Sequence, residues 1–170
     1  MTSQLNEQQR ATLQALCDTI VPAVEHEPDP DGFWGRRASD LGINHAVESV
    51  VLGLPDPTAR EGLLELLDVL SLQKLAQAPS QVSREQILRN LALGSPAAGQ
   101  GIAALTAMTL FLHYGAPIDP QTGQNPNWAT FGYPGPVSPP PQVPKAIQPV
   151  VPADGQVLEA DVVVVGSGAG

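Results

Sequence analysis

The stretch that decides the fold is Asp161-Val-Val-Val-Val-Gly-Ser-Gly-Ala-Gly170. Four consecutive valines are typical of a parallel strand that is covered on both faces. The glycines that follow indicate a phosphate-binding turn, because Gly166 permits a sharp bend and Gly168 removes a Cβ that would block a pyrophosphate. The pattern therefore predicts the first β-strand and glycine-rich turn of a Rossmann-like domain, with FAD or NAD(P) as the cofactor that the spacing allows.

The glycine turn is the one cofactor-binding site that the sequence predicts, and its residues are Gly166, Ser167, Gly168, Ala169 and Gly170. The helix whose N-terminal N–H groups would complete the site is expected beyond these residues. We therefore interpret the chain as the N-terminal fragment of a longer enzyme, truncated within its cofactor domain. A flexible glycine-rich tail is the alternative, but a tail has no need of a strand-length apolar run.

Composition narrows the class of protein. The chain has 170 residues, 42% of them hydrophobic, and a formal net charge of -9, which argues against binding to nucleic acid or to an anionic membrane surface. The single cysteine excludes an intramolecular disulfide and fits a reducing compartment.

The longest apolar run, 101–112, is too short for a transmembrane helix. The Arg36-Arg37 pair is not followed by the apolar stretch of an export signal, so it is interpreted as a solvated helix start. We expect a cytoplasmic protein without a transmembrane segment.

Residues 1–115 carry the periodicity of a helical domain, so the chain is predicted to be mainly α, with a five-helix bundle. Helix starts are expected where capping residues precede apolar stripes. The predicted helices are 6–21 with an Asn6–Gln9 capping box, 40–53 capped by Asp40, 56–78 starting at Asp56-Pro57, 83–93 starting at Ser83 with Gln86, and 95–114 starting at Ser95-Pro96. The run 101–112 is apolar on all sides, which predicts the centre of the bundle.

An extended, proline-rich arm is predicted over 116–160, followed by the strand and turn at 161–170. The arm holds 11 of the chain's 18 prolines and shows neither helical nor alternating periodicity. It also carries three aromatic residues, Trp128, Phe131 and Tyr133, which a free linker would not need. We expect these aromatics to dock on a surface, namely the cofactor domain that follows.

No catalytic residue and no metal site is predicted within the chain. Cys17 falls on the apolar stripe of the first helix and is interpreted as a core residue. His113 lies in the last turn of the fifth helix, where a protonated imidazole could interact with the carbonyl ends, and we favour this structural role over catalysis. The segment Glu25–Gly32 places four carboxylates around His26. It is interpreted as a solvated acidic loop, with calcium binding as the alternative.

Three segments together resemble a known family of enzymes. They are Leu16-Cys-Asp-Thr-Ile-Val-Pro22, Asn125-Pro-Asn-Trp128 with Gly132-Tyr-Pro-Gly135, and Ala160–Gly170. The chain resembles the N-terminal third of the long-chain (fatty) alcohol oxidase branch of the glucose-methanol-choline (GMC) oxidoreductases. The resemblance implies an FAD flavoprotein oxidoreductase that acts on CH–OH groups of long-chain alcohols, with the rest of the flavoprotein domain as the partner of this chain.

The resemblance also limits what the fragment can do alone. It implies that the glycine turn lines the FAD pyrophosphate, whereas the family's catalytic histidine has no counterpart here. The fragment by itself is therefore expected neither to retain FAD nor to catalyse a reaction. The helical part is also similar to the small subunit of gluconate dehydrogenases, which gives the alternative function: a free-standing helical accessory subunit that binds a partner and is not catalytic.

Overall fold

Aliphatic side chains at helical spacing build residues 4–115 into a bundle. The structure, a computed structural model, describes residues 4–135 and 151–163. Its helices are α1 (Glu7–Ile20), α2 (Ile43–Leu52), α3 (Pro57–Leu72), α4 (Gln81–Gly94) and α5 (Pro96–Leu110). Short 3₁₀ turns at Ala38–Leu41 and Leu75–Gln77 precede α2 and α4, and a π-helical turn at Phe111–Gly115 follows α5. The prediction of a mainly helical chain with a five-helix bundle is confirmed.

The chain divides into two compact units, 1–137 and 138–170. The first unit contains all five helices together with residues 116–135 of the predicted arm. The described part of the second unit, residues 151–163, contains a turn and a bend but no helix or strand. In the described ranges, the predicted arm is therefore shared between the two units.

The core of the helical unit is aliphatic, as the low aromatic content of 4% requires. Both α1 and α5 contact each of the other helices, so these two form the centre of the bundle. The side chains that are completely shielded from solvent come from every helix except α4 and include Leu16, Ile43, Val47, Leu67, Leu70 and Leu105. Burying each such side chain contributes about 1.5–3 kcal/mol relative to leaving it exposed.

Three of the predicted helix starts are confirmed by their capping hydrogen bonds. Asn6 and Gln9 form the reciprocal box, in which Asn6 Oδ1 accepts from the Gln9 N–H at 2.8 Å and Gln9 Oε1 accepts from the Asn6 N–H at 3.1 Å. Asp56 accepts from the Thr58 N–H at 2.9 Å, and Ser95 accepts from the Ala98 N–H at 3.3 Å. Each cap satisfies a donor that the first helical turn leaves without an intrahelical partner.

Two predicted starts were wrong. Asp40 lies inside the 3₁₀ turn, where its carboxylate accepts from the Arg37 N–H at 2.9 Å, and α2 begins instead after Gly42, which is in the left-handed region at φ 68°. The fourth helix starts before Ser83, because Ser80 is the cap and its Oγ accepts from the Ser83 N–H at 3.1 Å. Two serines spaced by three residues offer alternative caps that local pattern does not separate.

The third helix is also shorter than predicted. It ends at Leu72 rather than near residue 78, because Lys74 adopts a left-handed conformation with φ 58°. The turn redirects the chain so that Leu75 is fully buried, whereas Leu72 is 78% exposed. The predicted stripe of leucines is therefore divided between two elements.

The position of α5 was predicted only in part. It contacts all the other helices, and Leu105 and Thr109 are fully buried. Its outer face is open to solvent, however, with Leu110 39% exposed. A Cβ on Gly101 would lie 2.6 Å from Leu66 Cδ2, so the missing side chain lets α5 approach α3 closely. Within the residues covered by the structure, none of the helices has both the length and the apolar character needed to span a bilayer.

Candidate functional site

The predicted cofactor turn, Gly166 to Gly170, lies outside the residues that the structure describes. Of the predicted strand, only Asp161, Val162 and Val163 fall within the described range, and they are not in a strand there. Val162 and Val163 are 77% and 76% exposed. A parallel strand needs neighbouring strands to satisfy its backbone groups, and the described residues contain no strand. The strand and its glycine turn therefore stay predictions.

The best-defined polar site is a cap over the π-helical turn Phe111–Gly115, which forms the end of α5, and the cap is built by the Asn125-Pro-Asn-Trp128 segment. Asn125 Nδ2 donates to the carbonyls of Ala116 at 2.7 Å and His113 at 3.1 Å. Asn127 Nδ2 donates to the His113 carbonyl at 2.7 Å, and Trp128 Nε1 donates to the Tyr114 carbonyl at 2.9 Å. The segment thus satisfies carbonyls that a helix end leaves without intrahelical partners.

The same cap is tied to the loop that follows α1. Arg36 Nη1 donates to Asn127 Oδ1 at 2.9 Å, and Arg36 Nη2 donates to the Asp31 carbonyl at 2.8 Å. Asn127 itself is fully buried. Arg36, interpreted from the sequence as part of a solvated helix start, therefore joins two loops across the end of the bundle.

His113 lies beneath this cap and is buried, with only 1% of its surface exposed. Desolvation, assisted by the positive charge of Arg36, lowers the pKa of His113 from 6.5 to about 4. Its ring packs edge-on against Tyr114, with a centroid separation of 4.5 Å. The prediction of a protonated imidazole at the helix end was wrong, because asparagine and tryptophan side chains cap those carbonyls and the imidazole is neutral.

All seven aromatic residues of the chain lie in three short segments, 33–34, 111–114 and 128–133. The fold brings these segments to one end of the bundle. Phe33 is the meeting point, since its ring centroid lies 5.2 Å from that of Trp34, 6.1 Å from that of Tyr114 and 6.4 Å from that of Phe131. We name Phe33, Trp34, Tyr114, Phe131 and Tyr133 the aromatic surface.

Trp128 is not part of the aromatic surface, because it is buried, whereas the members of the surface are partly exposed. Trp128 is 3% exposed and docks on the end of α5, so its docking surface is the helical unit and not the cofactor domain expected from the sequence. Tyr133 packs edge-on against Trp128 at 5.0 Å yet stays 48% exposed, and Phe131 is 51% exposed. One aromatic residue of the arm is therefore internal, and two face solvent.

The acidic loop borders the aromatic surface. Asp29 is held within the loop, because its carboxylate accepts from the Trp34 N–H at 3.2 Å and the Gly35 N–H at 3.0 Å. Partial desolvation acts to raise the pKa of Asp29, but these backbone hydrogen bonds outweigh it and the net pKa lies below its ordinary value. An open cleft of about 630 Å³ lies beside the loop and is lined by Glu25, His26 and Glu27.

The alternative of calcium binding gains no support from the geometry. In the part of the chain that the structure describes, no three His, Cys, Asp or Glu side chains converge in a way that could hold a metal ion. Glu25, Glu27 and Asp31 are exposed, in line with the interpretation of a solvated acidic loop.

The interpretation of Cys17 as a core residue is confirmed. Its side chain is fully buried, and its Sγ lies 3.5 Å from Thr109 Oγ1. Burial raises the pKa of the Cys17 thiol to about 11. Because the thiolate is the nucleophilic form, this cysteine is unreactive near neutral pH.

One feature that sequence reasoning missed is an apolar groove of about 720 Å³ between α3, α4 and α5. Its lining includes Gly62, Leu66, Gly101, Ala104 and Met108. The available signal was Gly101 in the interior of the predicted fifth helix, because a glycine there weakens the helix unless close packing requires it.

No protein-family model, curated protein or solved structure matches the chain.

Proposed function

We propose that this chain is the N-terminal fragment of an FAD-dependent oxidoreductase that acts on CH–OH groups of long-chain alcohols. The observation that carries the proposal is the Asp161–Gly170 sequence, in which a strand-length valine run precedes three glycines at alternate positions. In this proposal Gly166, Ser167, Gly168, Ala169 and Gly170 line the FAD pyrophosphate, because a backbone without side chains admits the diphosphate.

The helical unit supports a non-catalytic part in such an enzyme. The largest pKa shifts in this unit are those of Cys17 and His113. Both side chains are buried, and neither carries a charge near neutral pH. Both side chains pack at the end of α5, and neither lies in a cleft of the described residues where a substrate could reach it. The FAD domain would therefore supply the hydride acceptor for the alcohol, and the fragment alone is inactive.

A second candidate function is a free-standing helical accessory subunit of a flavoprotein dehydrogenase. It is favoured by the aliphatic core of the helical unit, which gives residues 4–135 a fold of their own. It is also favoured by the half-exposed aromatic surface, since large exposed apolar patches mark interaction sites.

Reading the coding sequence beyond codon 170 separates the two candidates. A reading frame that continues, and that encodes a helix followed by an acidic residue about 20 residues beyond the glycine turn, favours the flavoenzyme. A stop codon, with a separate gene for a flavoprotein beside it, favours the accessory subunit. The longer product is then purified, and its flavin absorption and alcohol-dependent bleaching are recorded.

The control for this experiment is Gly168→Val, which places a branched side chain where the diphosphate would approach. We expect the variant to lose flavin while its circular dichroism keeps the helical signal. A longer product that is colourless and indifferent to added FAD contradicts the proposal.

A further inference from the structure

We propose that the aromatic surface is a docking site for a partner protein that presents arginine side chains. The proposal goes beyond the flavoenzyme assignment and does not depend on it, because it rests on residues 25–37 and 111–135 alone.

Apart from the buried Trp128, the aromatic residues of this protein lie outside its core. The core cluster is made almost entirely of aliphatic side chains, while Trp34, Phe131 and Tyr133 are 43%, 51% and 48% exposed. A chain with only 4% aromatic residues has gathered all of them at one end of its bundle. Exposed aromatic side chains in a contiguous group are typical of the centre of a protein–protein interface.

The surface is also held in place before any partner binds. Beneath it, the buried Trp128 donates its indole N–H to Tyr114, and Arg36 links Asn127 to the acidic loop. Gly135 is in the left-handed region at φ 77°, and a Cβ there would lie 3.0 Å from the Trp128 ring, so the arm packs against that ring. Binding to a preorganised surface loses less conformational entropy.

Charge decides which partner fits. Glu25, Glu27 and Asp31 are exposed beside the aromatic surface, and His26 stacks on Trp34 at a centroid separation of 4.9 Å. Among the described residues of this loop, Arg36 is engaged by the cap, and Arg37 pairs with Asp40 at 3.6 Å. The surface therefore offers aromatic faces next to carboxylates.

Arginine is the side chain that uses both features. Its planar guanidinium stacks on an aromatic face and can pair with a carboxylate through two parallel hydrogen bonds. A second copy of this chain would bring the same carboxylates and a net charge of -9 to the interface, and like charges disfavour that contact. An anionic bilayer or a nucleic acid is disfavoured for the same reason.

The test uses the full 170-residue chain and three peptide probes of equal length: nona-arginine, nona-lysine and nona-glutamate. Binding is followed by NMR through the indole N–H signals of Trp34 and Trp128, which are assigned with single tryptophan-to-phenylalanine variants. We expect nona-arginine to shift the Trp34 signal, nona-lysine to bind more weakly and nona-glutamate to have no effect. An unchanged Trp34 signal with nona-arginine overturns the proposal.

Variants then separate the aromatic surface from general charge attraction. Trp34→Ala combined with Phe131→Ala should weaken nona-arginine binding about tenfold, since each lost cation–π contact and its buried area removes part of the affinity. Because this variant lacks the Trp34 signal, its affinity and that of the parent chain are compared by isothermal titration calorimetry. The matched control is Leu72→Ala with Leu93→Ala, two side chains that are 78% and 81% exposed on α3 and α4, and it should bind like the parent chain.

If the double aromatic variant loses its helical circular dichroism, Phe131→Ala alone takes its place. Glu25→Gln with Glu27→Gln should also weaken binding, and more so at low salt. Equal affinity for arginine and lysine probes, with no effect of the aromatic substitutions, would show charge attraction alone and contradict the proposal. Concentration-dependent self-association that Trp34→Ala abolishes would identify a second copy as the occupant and likewise contradict it.

Discussion

At the scale of single residues, the end of α5 depends on three side chains that lie 9 to 14 residues further along the chain. Asn125 makes the most of these hydrogen bonds, because its buried side-chain amide donates to the carbonyls of Leu112, His113 and Ala116. Leaving buried carbonyls without donors costs more than the net value of the bonds themselves.

We therefore expect Asn125→Ala to lower the free energy of unfolding by about 2–3 kcal/mol. Asn90→Ala is the matched control, because Asn90 is exposed and makes a single side-chain contact with Gln86; its effect should stay below about 0.5 kcal/mol. Urea unfolding followed by circular dichroism measures both. Equal effects of the two substitutions would show that the cap carries no stability.

His113 makes stability depend on pH. Its pKa is 6.5 when exposed and about 4 in the folded protein, so between these values the unfolded chain binds more protons than the folded one. Stability is therefore fully present above pH 6.5 and falls as the pH drops toward 4, by at most about 3 kcal/mol.

The pH dependence is checked by urea unfolding across this window in the parent chain, in His113→Leu and in His45→Gln. The His113 variant should lose much of the dependence, while the control should keep it, because His45 is exposed. A parent chain whose stability does not change between pH 6.5 and 4 would show that His113 is accessible to protons in the fold.

At the scale of elements, three helix starts were predictable from the sequence, whereas the early end of α3 was not. The caps at Asn6, Asp56 and Ser95 were predictable because each uses a side chain within three residues of the first turn. The break at Lys74 was not, since a non-glycine residue in the left-handed region is held there by the burial of Leu75. Tertiary packing outweighs local propensity at such a site.

Two glycines in helix interiors make the contrast testable. A Cβ added to Gly62 meets no atom within 4 Å, whereas one added to Gly101 lies 2.6 Å from Leu66 Cδ2. Alanine in an open helix position stabilises by about 0.5–1 kcal/mol relative to glycine. At Gly101 the buried Leu66 would have to move, and overpacking of this kind offsets that gain.

Gly62→Ala should therefore raise the free energy of unfolding by about 0.5–1 kcal/mol, while Gly101→Ala should leave it unchanged or lower it. Thermal and urea unfolding of the two variants provide the comparison. A Gly101→Ala variant that gains as much stability as Gly62→Ala would mean that α3 and α5 do not approach as closely as the structure shows.

At the scale of the whole molecule, the bundle was predictable and the position of the arm was not. The aliphatic periodicity predicted five helices, but the contacts of residues 116–135 with the end of α5 join positions that no local pattern relates. The aromatic surface has the same origin, because it combines three segments that are distant in the sequence: Phe33 and Phe131, for example, are 98 positions apart. The cofactor site, in contrast, is predicted from a local motif alone, and its residues lie outside the part of the chain that the structure describes.

The boundary of the helical unit can be tested by truncation. A chain of residues 1–137 keeps the Asn125–Trp128 cap and should unfold in one cooperative transition. A chain of residues 1–115 ends where helical periodicity stops and lacks every donor that the cap supplies to Leu112, His113 and Tyr114. We expect the shorter chain to be less stable by several kcal/mol, because both the hydrogen bonds and the burial of Trp128 are lost. Urea unfolding of the two chains, with the indole signal of Trp128 as a local probe in the longer one, decides the question: equal stability would place the end of the folded unit at Gly115 and make the aromatic arm an appendage.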